Sequence, residues 1–308
     1  MKFLITGGAG SVGQALTAFF IQKGHEVRVL DKEADRLRSM GPKHLELVKG
    51  RIEDPTVVKE AMKGIDILLH LAWSFSDNPI ELLESDLKGH IILLDEAVAA
   101  KVSHFIYTST AVVYGKPIRI PITEEAPCLV EEARKPFYGI AKLMAEKLSL
   151  AYFRTKGLPV TIFRFWWSYG NEIGGRHLRD LIKLAHLGEP LMVPQDAGGS
   201  FLHMDDLTNA ILIALQKPKT FGEIFNLSTL FLSWEEVARI IIEVTHSSSP
   251  LEMIPTGEWK GPTFLADTWE LSTDKAERLF AYQSALSHLM AKQGLKEAIA
   301  QCYQVMKM

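Results

Sequence analysis

Hydrophobic and polar positions alternate in two different ways along the first half of the chain. Short apolar runs predict β-strands, and the longer stretches between them carry apolar residues at helical spacing. The predicted strands are 2–6, 26–30, 45–48, 66–71, 104–109 and 160–165, and the predicted helices are 11–23, 55–63, 80–101 and 137–156. Asp54 and Pro55 predict an N-cap and a first-turn proline for the second helix. Strands that alternate with helices indicate a parallel sheet in a doubly wound α/β fold.

The first predicted strand leads directly into a glycine-rich segment, TGGAGSVG, and a helix is predicted from Ser11. Gly7 permits a tight turn, Gly10 lets backbone N–H groups approach a pyrophosphate, and Gly13 lets the helix pack closely on the strand. The glycine spacing is GxxGxxG rather than GxGxxG. Asp31 ends the second strand about twenty residues further on, where a carboxylate can accept hydrogen bonds from ribose hydroxyls. These features predict a Rossmann-type dinucleotide site.

The residues after Asp31 bear on the choice of cofactor. A carboxylate at this place repels a 2′-phosphate, which favours NAD over NADP. Lys32, Arg36 and Arg38 follow closely and could compensate for that repulsion. Charged residues after a strand are usually a solvated helix face, so NAD is the expected cofactor and NADP the less favoured one.

Beyond about Trp166 the pattern becomes irregular. Glycine pairs stand at 174–175 and 198–199, and a Pro- and Gly-rich stretch covers 250–262 before helical spacing returns. We predict a dinucleotide-binding domain formed by 1–165 with 204–228, and a smaller, partly C-terminal substrate-binding lobe formed by 166–203 with 229–308.

Composition excludes several classes of protein without indicating a function. Hydrophobic residues make up 47% and charged residues 23% of the chain, as in ordinary globular proteins. The formal charge of −3, with no long run of one sign, gives no reason to expect a nucleic-acid partner. Cys128 and Cys302 have no metal-ligand spacing, so we expect metal-free chemistry. The short apolar run at the N-terminus and the lack of a longer apolar stretch predict a cytoplasmic protein without a membrane partner.

Three side chains form a candidate catalytic group. The segment YGIAK places Tyr138 and Lys142 four residues apart, on one face of a predicted helix. Thr110 ends the segment FIYTST at the carboxyl edge of the predicted sheet, where open α/β sheets bind their ligands. A Tyr-Lys pair on a helix is common by chance, and the position of Thr110 is what favours a catalytic reading.

With these segments the chain resembles the extended short-chain dehydrogenases/reductases, in particular the NAD-dependent epimerase/dehydratase family typified by UDP-galactose 4-epimerase. The resemblance covers nearly the whole chain. It rests on TGGAGSVG, HLAW at 70–73, TSTAVVYG at 108–115, YGIAK at 138–142, FLHMDDL at 201–207, GEIFNLS at 222–228 and DKAERLFAY at 274–282.

The resemblance implies a role for each candidate. Tyr138 is the general acid/base, Lys142 lowers the pKa of Tyr138 and holds the nicotinamide ribose, and Thr110 hydrogen-bonds the reacting oxygen. A phenol has a pKa of about 10, and a nearby ammonium together with the positive nicotinamide favours the phenolate that acts as a base. The expected cofactor-binding residues are Gly7, Gly10, Ser11, Val12, Gly13, Asp31, Ile52, Leu71, Ala72, Tyr138, Lys142 and Phe165.

Several departures from the family pattern concern the substrate. Ala111 and Val112 stand where the dehydratase branch carries an Asp-Glu pair, so water elimination would lack its acid and base. Gly199 and Ser200 replace an Arg that binds a nucleotide-sugar phosphate, and Trp167 replaces a substrate-binding Asn. A UDP-sugar would therefore lose two of its anchors.

Other departures add candidate substrate contacts. Arg176 is the nearest cation that could replace the missing Arg. Trp73 and Trp167 are expected to face the cleft, where they would suit a sugar ring or a flat apolar substrate. Asp86 stands in place of an Asn, and Arg51 in place of an adenine-contacting Asp; both changes leave the hydride chemistry possible.

These observations favour an NAD-dependent epimerase that oxidises and re-reduces a hydroxyl of a carbohydrate, possibly of a nucleotide sugar. A net NAD(P)-dependent dehydrogenase or ketoreductase acting on a free sugar, sugar acid or apolar alcohol remains open, because it would use the same side chains. A non-catalytic dinucleotide sensor is a remote alternative, since sensors typically lose the Tyr or the Lys.

The same two long helices predict a homodimer. A doubly wound sheet buries one face of each helix, and helices 80–101 and 137–156 carry apolar residues on more than one face. The residues expected at the contact are Ile91, Leu94, Val98, Leu143, Leu150 and Phe153. Related extended dehydrogenases are similar in pairing these helices into a four-helix bundle.

Overall fold

The computed structural model describes residues 1–41, 43–215 and 217–307. Within them the strands are β1 (Lys2–Thr6), β2 (Glu26–Asp31), β3 (Leu45–Lys49), β4 (Ile67–His70), β5 (His104–Thr108), β6 (Val160–Arg164), β7 (Trp167–Tyr169), β8 (Leu191–Pro194), β9 (Gly198–His203), β10 (Glu223–Asn226), β11 (Leu230–Ser233), β12 (Leu251–Ile254) and β13 (Thr268–Trp269). The α-helices are α1 (Ser11–Gln22), α2 (Pro55–Met62), α3 (Pro79–Glu81), α4 (Lys88–Ala99), α5 (Pro136–Lys156), α6 (Arg176–Leu187), α7 (Met204–Ala214), α8 (Trp234–Thr245), α9 (Asp274–Phe280) and α10 (His288–Lys307).

The chain divides into two compact units. The first unit comprises Met1–Gly115, Cys128–Arg164 and Ala210–Phe225, and the second comprises Lys116–Pro127, Phe165–Asn209 and Asn226–Met308. The second unit thus includes three segments that are predicted from the sequence to belong to the dinucleotide-binding domain, namely 116–127, 204–209 and 226–228.

The first unit is built on a parallel sheet. Its strands lie in the order β10-β6-β5-β4-β1-β2-β3, and β1 pairs in parallel with its neighbours β2 and β4. β1, β4, β5 and β6 are buried along almost their whole length, because helices cover both faces of a parallel sheet. The Rossmann-type α/β fold predicted from the sequence is confirmed, and all six predicted strands end within one residue of the observed limits.

Of the predicted elements, the helix at 80–101 is the one whose observed secondary structure differs in type. The chain is α-helical in α3, turns into a π-helix at Leu82–Leu87, and continues as α4. A π turn is wider than an α turn and often lies at a functional site. Hydrophobic periodicity cannot distinguish it from an α-helix, so the sequence predicts one continuous helix. Leu82, Asp86 and Leu87 are the buried residues of this segment.

The predicted cap of α2 is confirmed. The side chain of Asp54 accepts hydrogen bonds from the backbone N–H groups of Thr56 and Val57, and Pro55 occupies the first turn. These bonds satisfy amide groups that have no partner within the helix.

Within the described residues, the second unit has a four-stranded sheet, a separate two-stranded sheet formed by β8 and β12, and a helical layer of its own. β9 pairs with β11 in antiparallel fashion and with β7 and β13 in parallel fashion, and β8 pairs with β12 in parallel fashion. α6, α8 and α10 pack on one another. Among the described residues, no helix is long and apolar enough to cross a membrane, and no cluster of His, Cys, Asp or Glu could hold a metal ion.

Candidate active site

The glycine loop between β1 and α1 folds as a tightly packed turn. Gly7 has a φ of +73°, and a Cβ there would lie 2.6 Å from the backbone nitrogen of Ala72. A Cβ on Gly13 would lie 2.3 Å from the carbonyl oxygen of Gly7. Both positions therefore require glycine. Gly10 is the N-cap of α1 and is exposed, which leaves the helix N-terminus open to an anionic group.

Asp31 lies at the carboxyl end of β2 and is held by the neighbouring backbone. Its Oδ2 accepts a hydrogen bond from the N–H of Ala9 at 3.0 Å, and its Oδ1 accepts one from the N–H of Glu33 at 2.8 Å. The carboxylate is thereby fixed beside the glycine loop. This is the arrangement expected for a carboxylate that binds ribose hydroxyls.

The cations after Asp31 have partners of their own. Arg36 contacts Glu33 at 2.7 Å, and Arg38 contacts Asp35 at 2.7 Å. Lys49 also donates to Asp35, and it makes the largest contribution to the lowered pKa of that carboxyl group. The two arginines therefore have acidic neighbours, in ion pairs that are largely exposed to solvent.

A groove of about 280 Å³ opens along the carboxyl edge of the sheet. Of the residues predicted to bind a cofactor or substrate, it is lined by Gly7, Gly10, Asp31, Ile52, Leu71, Ala72 and Trp73. Ser11, Val12 and Gly13 form the first turn of α1, directly after the loop. The structure thus brings six of the predicted dinucleotide-binding residues together along one groove, and Tyr138 and Lys142 are not among the residues that line it.

The three predicted catalytic side chains lie together in the first unit and are buried. Thr110 follows β5, and Tyr138 and Lys142 belong to the first turns of α5. The Tyr138 and Thr110 side chains are hydrogen-bonded to each other. The backbone N–H of Tyr138 donates to Asp77 Oδ1 at 2.9 Å, and the ring of Phe75 stacks on the Tyr138 ring at 5.9 Å. These contacts fix the position of the phenol.

The pKa of the Tyr138 phenol lies above its ordinary value. Burial is the largest cause, the negative charge of Asp86 adds to it, and only the hydrogen bond with Thr110 acts in the opposite direction. The resemblance implies that Lys142 lowers the pKa of Tyr138. The protein groups alone do not lower this pKa, because burial and the charge of Asp86 outweigh the hydrogen bond with Thr110.

Lys142 is held between two aromatic rings. Its Nζ donates a hydrogen bond to the Thr108 carbonyl oxygen at 3.0 Å and lies 4.2 Å from the ring centroid of Trp73 and 4.8 Å from that of Tyr107. Burial lowers the pKa of Lys142 to about 7, although the charges of Asp86 and Glu146 oppose the shift. Trp73, predicted to contact the substrate, thus also packs on the candidate catalytic lysine.

Residues that the sequence analysis did not assign to the site complete it. Asp86 accepts hydrogen bonds from the backbone and side chain of Ser74, and both residues border the groove. The Nζ of Lys135 donates to the carbonyl oxygen of Phe75. The only sequence signal for any of them is that Asp86 departs from the family's Asn.

A buried ion pair supports the strand end that carries Thr110. Arg164 and Glu146 are almost fully buried, with their side-chain N and O atoms 2.6 Å apart. Ser109, next to Thr110, donates a hydrogen bond to Glu146 Oε1 at 2.5 Å. The pair therefore connects α5, β6 and the end of β5 within the first unit.

Phe165, Trp167 and Arg176 belong to the second unit. Phe165 is half-buried directly after β6. Arg176 begins α6, with its side chain 81% exposed and 3.7 Å from Asp180. It is a solvent-facing side chain with one weak ion pair.

Trp167 is part of the aromatic core of the second unit. It is 3% exposed, stacks on Trp166 at 4.6 Å and contacts Trp234 edge-on at 4.9 Å. A Cβ on Gly199 would lie 2.2 Å from the Trp167 ring, so the indole occupies the space beside this glycine. The expectation that Trp167 faces an open cleft therefore does not fit its packing, because other rings cover it.

Comparisons with known proteins agree with this geometry. The model of the NAD dependent epimerase/dehydratase family matches residues 3–228. The UDP-glucose 4-epimerase of Corynebacterium glutamicum is 29% identical over 304 residues, which cover 90% of this chain and 89% of the relative. The UDP-N-acetyl-alpha-D-glucosaminuronate decarboxylase of Bacillus cytotoxicus is 31% identical over 271 residues, covering 82% of this chain and 83% of the relative.

A solved structure shares the fold. The UDP-glucose 4-epimerase of Thermotoga maritima, in a structure with UDP-glucose, matches with a TM-score of 0.82 at 22% identity, covering 99% of this chain and 100% of the other. The family model spans well over half of the sequence and includes the glycine loop and the Tyr-Lys pair. The chain therefore belongs to the NAD-dependent epimerase/dehydratase family of enzymes.

Proposed function

We propose that the protein is an NAD-dependent epimerase that oxidises and re-reduces a hydroxyl-bearing carbon of a nucleotide sugar. One observation carries the proposal: Thr110, Tyr138 and Lys142 are buried together in the unit that holds the glycine loop and Asp31. A non-catalytic sensor would not need a buried Tyr138 hydrogen-bonded to Thr110, with a buried Lys142 one helical turn further on.

Each side chain has a distinct task in the proposed reaction. Tyr138 takes the proton of the substrate hydroxyl as a general base and returns it as a general acid, and Thr110 holds the reacting oxygen. Lys142 provides positive charge beside the phenol and binds ribose hydroxyls. NAD, when bound, supplies the hydride acceptor, and the groove residues with Asp31 would hold it. Positive charge brought by the cofactor favours the phenolate that the protein groups alone disfavour.

The relatives support the substrate class, and the residues after Thr110 support the type of reaction. The relatives compared above are named for reactions of UDP-sugars. Ala111 and Val112 both have aliphatic side chains, so neither can donate or accept a proton. We therefore propose epimerisation rather than elimination of water.

A second candidate function is a net dehydrogenase or ketoreductase acting on a free sugar, sugar acid or apolar alcohol. The packing of Trp167 on Gly199 favours it. The indole stands in place of the family's substrate-binding Asn, and the glycine stands in place of the Arg that binds a nucleotide-sugar phosphate. Arg176 is the candidate replacement cation. A single charge-assisted hydrogen bond contributes about 1.5–3 kcal/mol, so its loss would weaken phosphate binding by about 10- to 100-fold.

One experiment separates the two functions. The purified protein is incubated with UDP-glucose, or with free glucose or galactose, in the presence of NAD, and products are followed by proton NMR and by absorbance of NADH at 340 nm. We expect UDP-galactose without net NADH. Stoichiometric NADH with a free sugar and no UDP-galactose would support the dehydrogenase instead, and no product from any of these substrates would contradict the proposed substrate class.

The cofactor preference is a separate prediction. NAD should bind at least about tenfold more tightly than NADP, because the fixed carboxylate of Asp31 suits two ribose hydroxyls and repels a phosphate. Calorimetric titration of both dinucleotides measures this ratio, and Asp31→Asn should reduce it. Tighter binding of NADP would mean that Lys32 or the two arginines determine the preference.

We also propose a homodimer formed by the helices predicted from the sequence. Leu94, expected at the contact, is fully buried in the first unit, and Val98, Leu150 and Phe153 pack against the same core, so these four do not form an exposed face. Exposed apolar side chains do lie on the same two stretches of chain, 79–99 and 136–156, and they are the contact group that we propose: Ile80, Leu83, Ile91, Phe137, Ile140 and Met144. Burying such a group against its symmetry copy would form an isologous interface.

Replacing Ile140 and Met144 together with Asp should convert the protein to a monomer, because two charges would be buried at the contact. Light scattering at micromolar concentration should give twice the 34.5 kDa chain mass for the wild type and one chain mass for the variant. Leu187→Asp is the matched control, since Leu187 is 60% exposed on α6, outside the group. A monomeric wild type would contradict the dimer.

A further inference from the structure

Asp86 is a buried carboxylate to which the proposed reaction assigns no task. It lies in the π-helical segment, is 4% exposed, and borders the groove. Its Oδ1 accepts a hydrogen bond from the N–H of Ser74 at 2.9 Å, and its Oδ2 accepts one from the Ser74 hydroxyl at 2.5 Å. These bonds fix the negative charge in place at the wall of the groove.

The charge of Asp86 acts on both members of the Tyr-Lys pair. It raises the pKa of Lys142, which stabilises the ammonium, and it raises the pKa of Tyr138, which disfavours the phenolate. The second effect weakens the general base. A carboxylate in this position also attracts any positive charge that binds beside the pair.

We propose that Asp86 selects the oxidised cofactor, because its carboxylate stabilises the positively charged nicotinamide ring of NAD⁺ relative to the neutral ring of NADH. The inference rests on the proposed function, in which this ring binds beside Tyr138 and Lys142. It also refines that function. An epimerase must end every turnover with NAD⁺ in place, whereas a net dehydrogenase must release NADH.

The test compares the dissociation constants of NADH and NAD⁺ in the wild type and in Asp86→Asn. Asn has the same shape, can still accept from the N–H of Ser74, and can donate to its hydroxyl. Removing the charge of Asp86 changes its interaction with the pyrophosphate equally for the two ligands. The ratio Kd(NADH)/Kd(NAD⁺) therefore reports only the interaction of Asp86 with the charge of the nicotinamide ring. We expect this ratio to fall about tenfold, the order expected for one unit charge acting across a partly screened site.

Both constants are measured by calorimetric titration at pH 8 and low salt, with no substrate present. Glu53→Gln is the matched control, because Glu53 is another carboxylate at the wall of the same groove, paired with Arg51 at 2.5 Å. Its ratio should stay within about twofold of the wild type. An unchanged ratio in Asp86→Asn, or equal weakening of both ligands, would overturn the inference and leave the proposed function standing. A wild type that binds neither dinucleotide would overturn both.

Discussion

Replacing Tyr138 with Phe should lower turnover at least about 100-fold, the lower end of the range for general acid/base catalysis, while the affinity for NAD changes less than about threefold. The substitution removes only the hydroxyl that carries the proton. The ring remains, and with it the stacking on Phe75 and the backbone hydrogen bond to Asp77. The loss should therefore fall on kcat rather than on cofactor binding.

The measurement is the rate of UDP-galactose formation from UDP-glucose, with NAD binding followed by calorimetry. Tyr152→Phe is the matched control, because Tyr152 lies on the same helix and donates its hydroxyl to Asp95 at 2.7 Å. Its turnover should stay within about twofold of the wild type. Turnover of Tyr138→Phe within tenfold of the wild type would exclude the phenol as the acid/base.

Most of the fold could be predicted from the sequence because the first six strands and the helices between them have their own local signals, whereas β10 and the π turn at Leu82–Leu87 are not predicted by any such signal. Buried parallel strands are continuous apolar runs, and the glycine loop combines a left-handed Gly7 with a Gly13 that tolerates no Cβ. Thr110, Tyr138 and Lys142 could be predicted for a similar reason, since each belongs to a recognisable segment at the carboxyl edge of the sheet. Local pattern and global topology coincide in this unit.

The electrostatics of the site could not be predicted in the same way. The sequence gives the identity of Asp86 but not the π turn that buries it, nor the hydrogen bonds from Ser74 that hold it. Whether Lys142 lowers the pKa of Tyr138 depends on how strongly burial opposes the charged form. That balance is a property of the packed structure, and here it favours the neutral phenol.

The packing of the second unit could not be predicted from the sequence either. A tryptophan after a strand can face a ligand or a core, and its sequence neighbours are compatible with both. Trp167 is buried because Gly199, more than thirty residues away in the chain, leaves room for the indole on the adjacent strand. Two departures from the family pattern that look independent in the sequence are thus one packing arrangement.

The second large effect is expected for stability, at the buried pair of Glu146 and Arg164. Glu146→Ala should lower the free energy of unfolding by about 3–5 kcal/mol, because it leaves an uncompensated guanidinium in the interior. The side chains of Glu146 and Arg164 are 0% and 2% exposed, and two hydrogen bonds join them, from Nε at 2.9 Å and from Nη2 at 2.6 Å. Urea denaturation followed by circular dichroism measures the change.

A second variant distinguishes the effect of the unpaired charge on stability from the effect of the cavity that the truncation leaves. Replacing Glu146 and Arg164 together with Met removes both charges and retains volume, so it should restore at least half of the stability that Glu146→Ala loses, because no buried charge then lacks a partner. The Ser109 hydroxyl, which donates to Glu146, would lose its acceptor in both variants and so does not bias the comparison. If the double variant were no more stable than Glu146→Ala, loss of packing rather than an unpaired charge would be the cause. A loss below about 1 kcal/mol in Glu146→Ala would mean that water reaches Arg164 once its partner is removed.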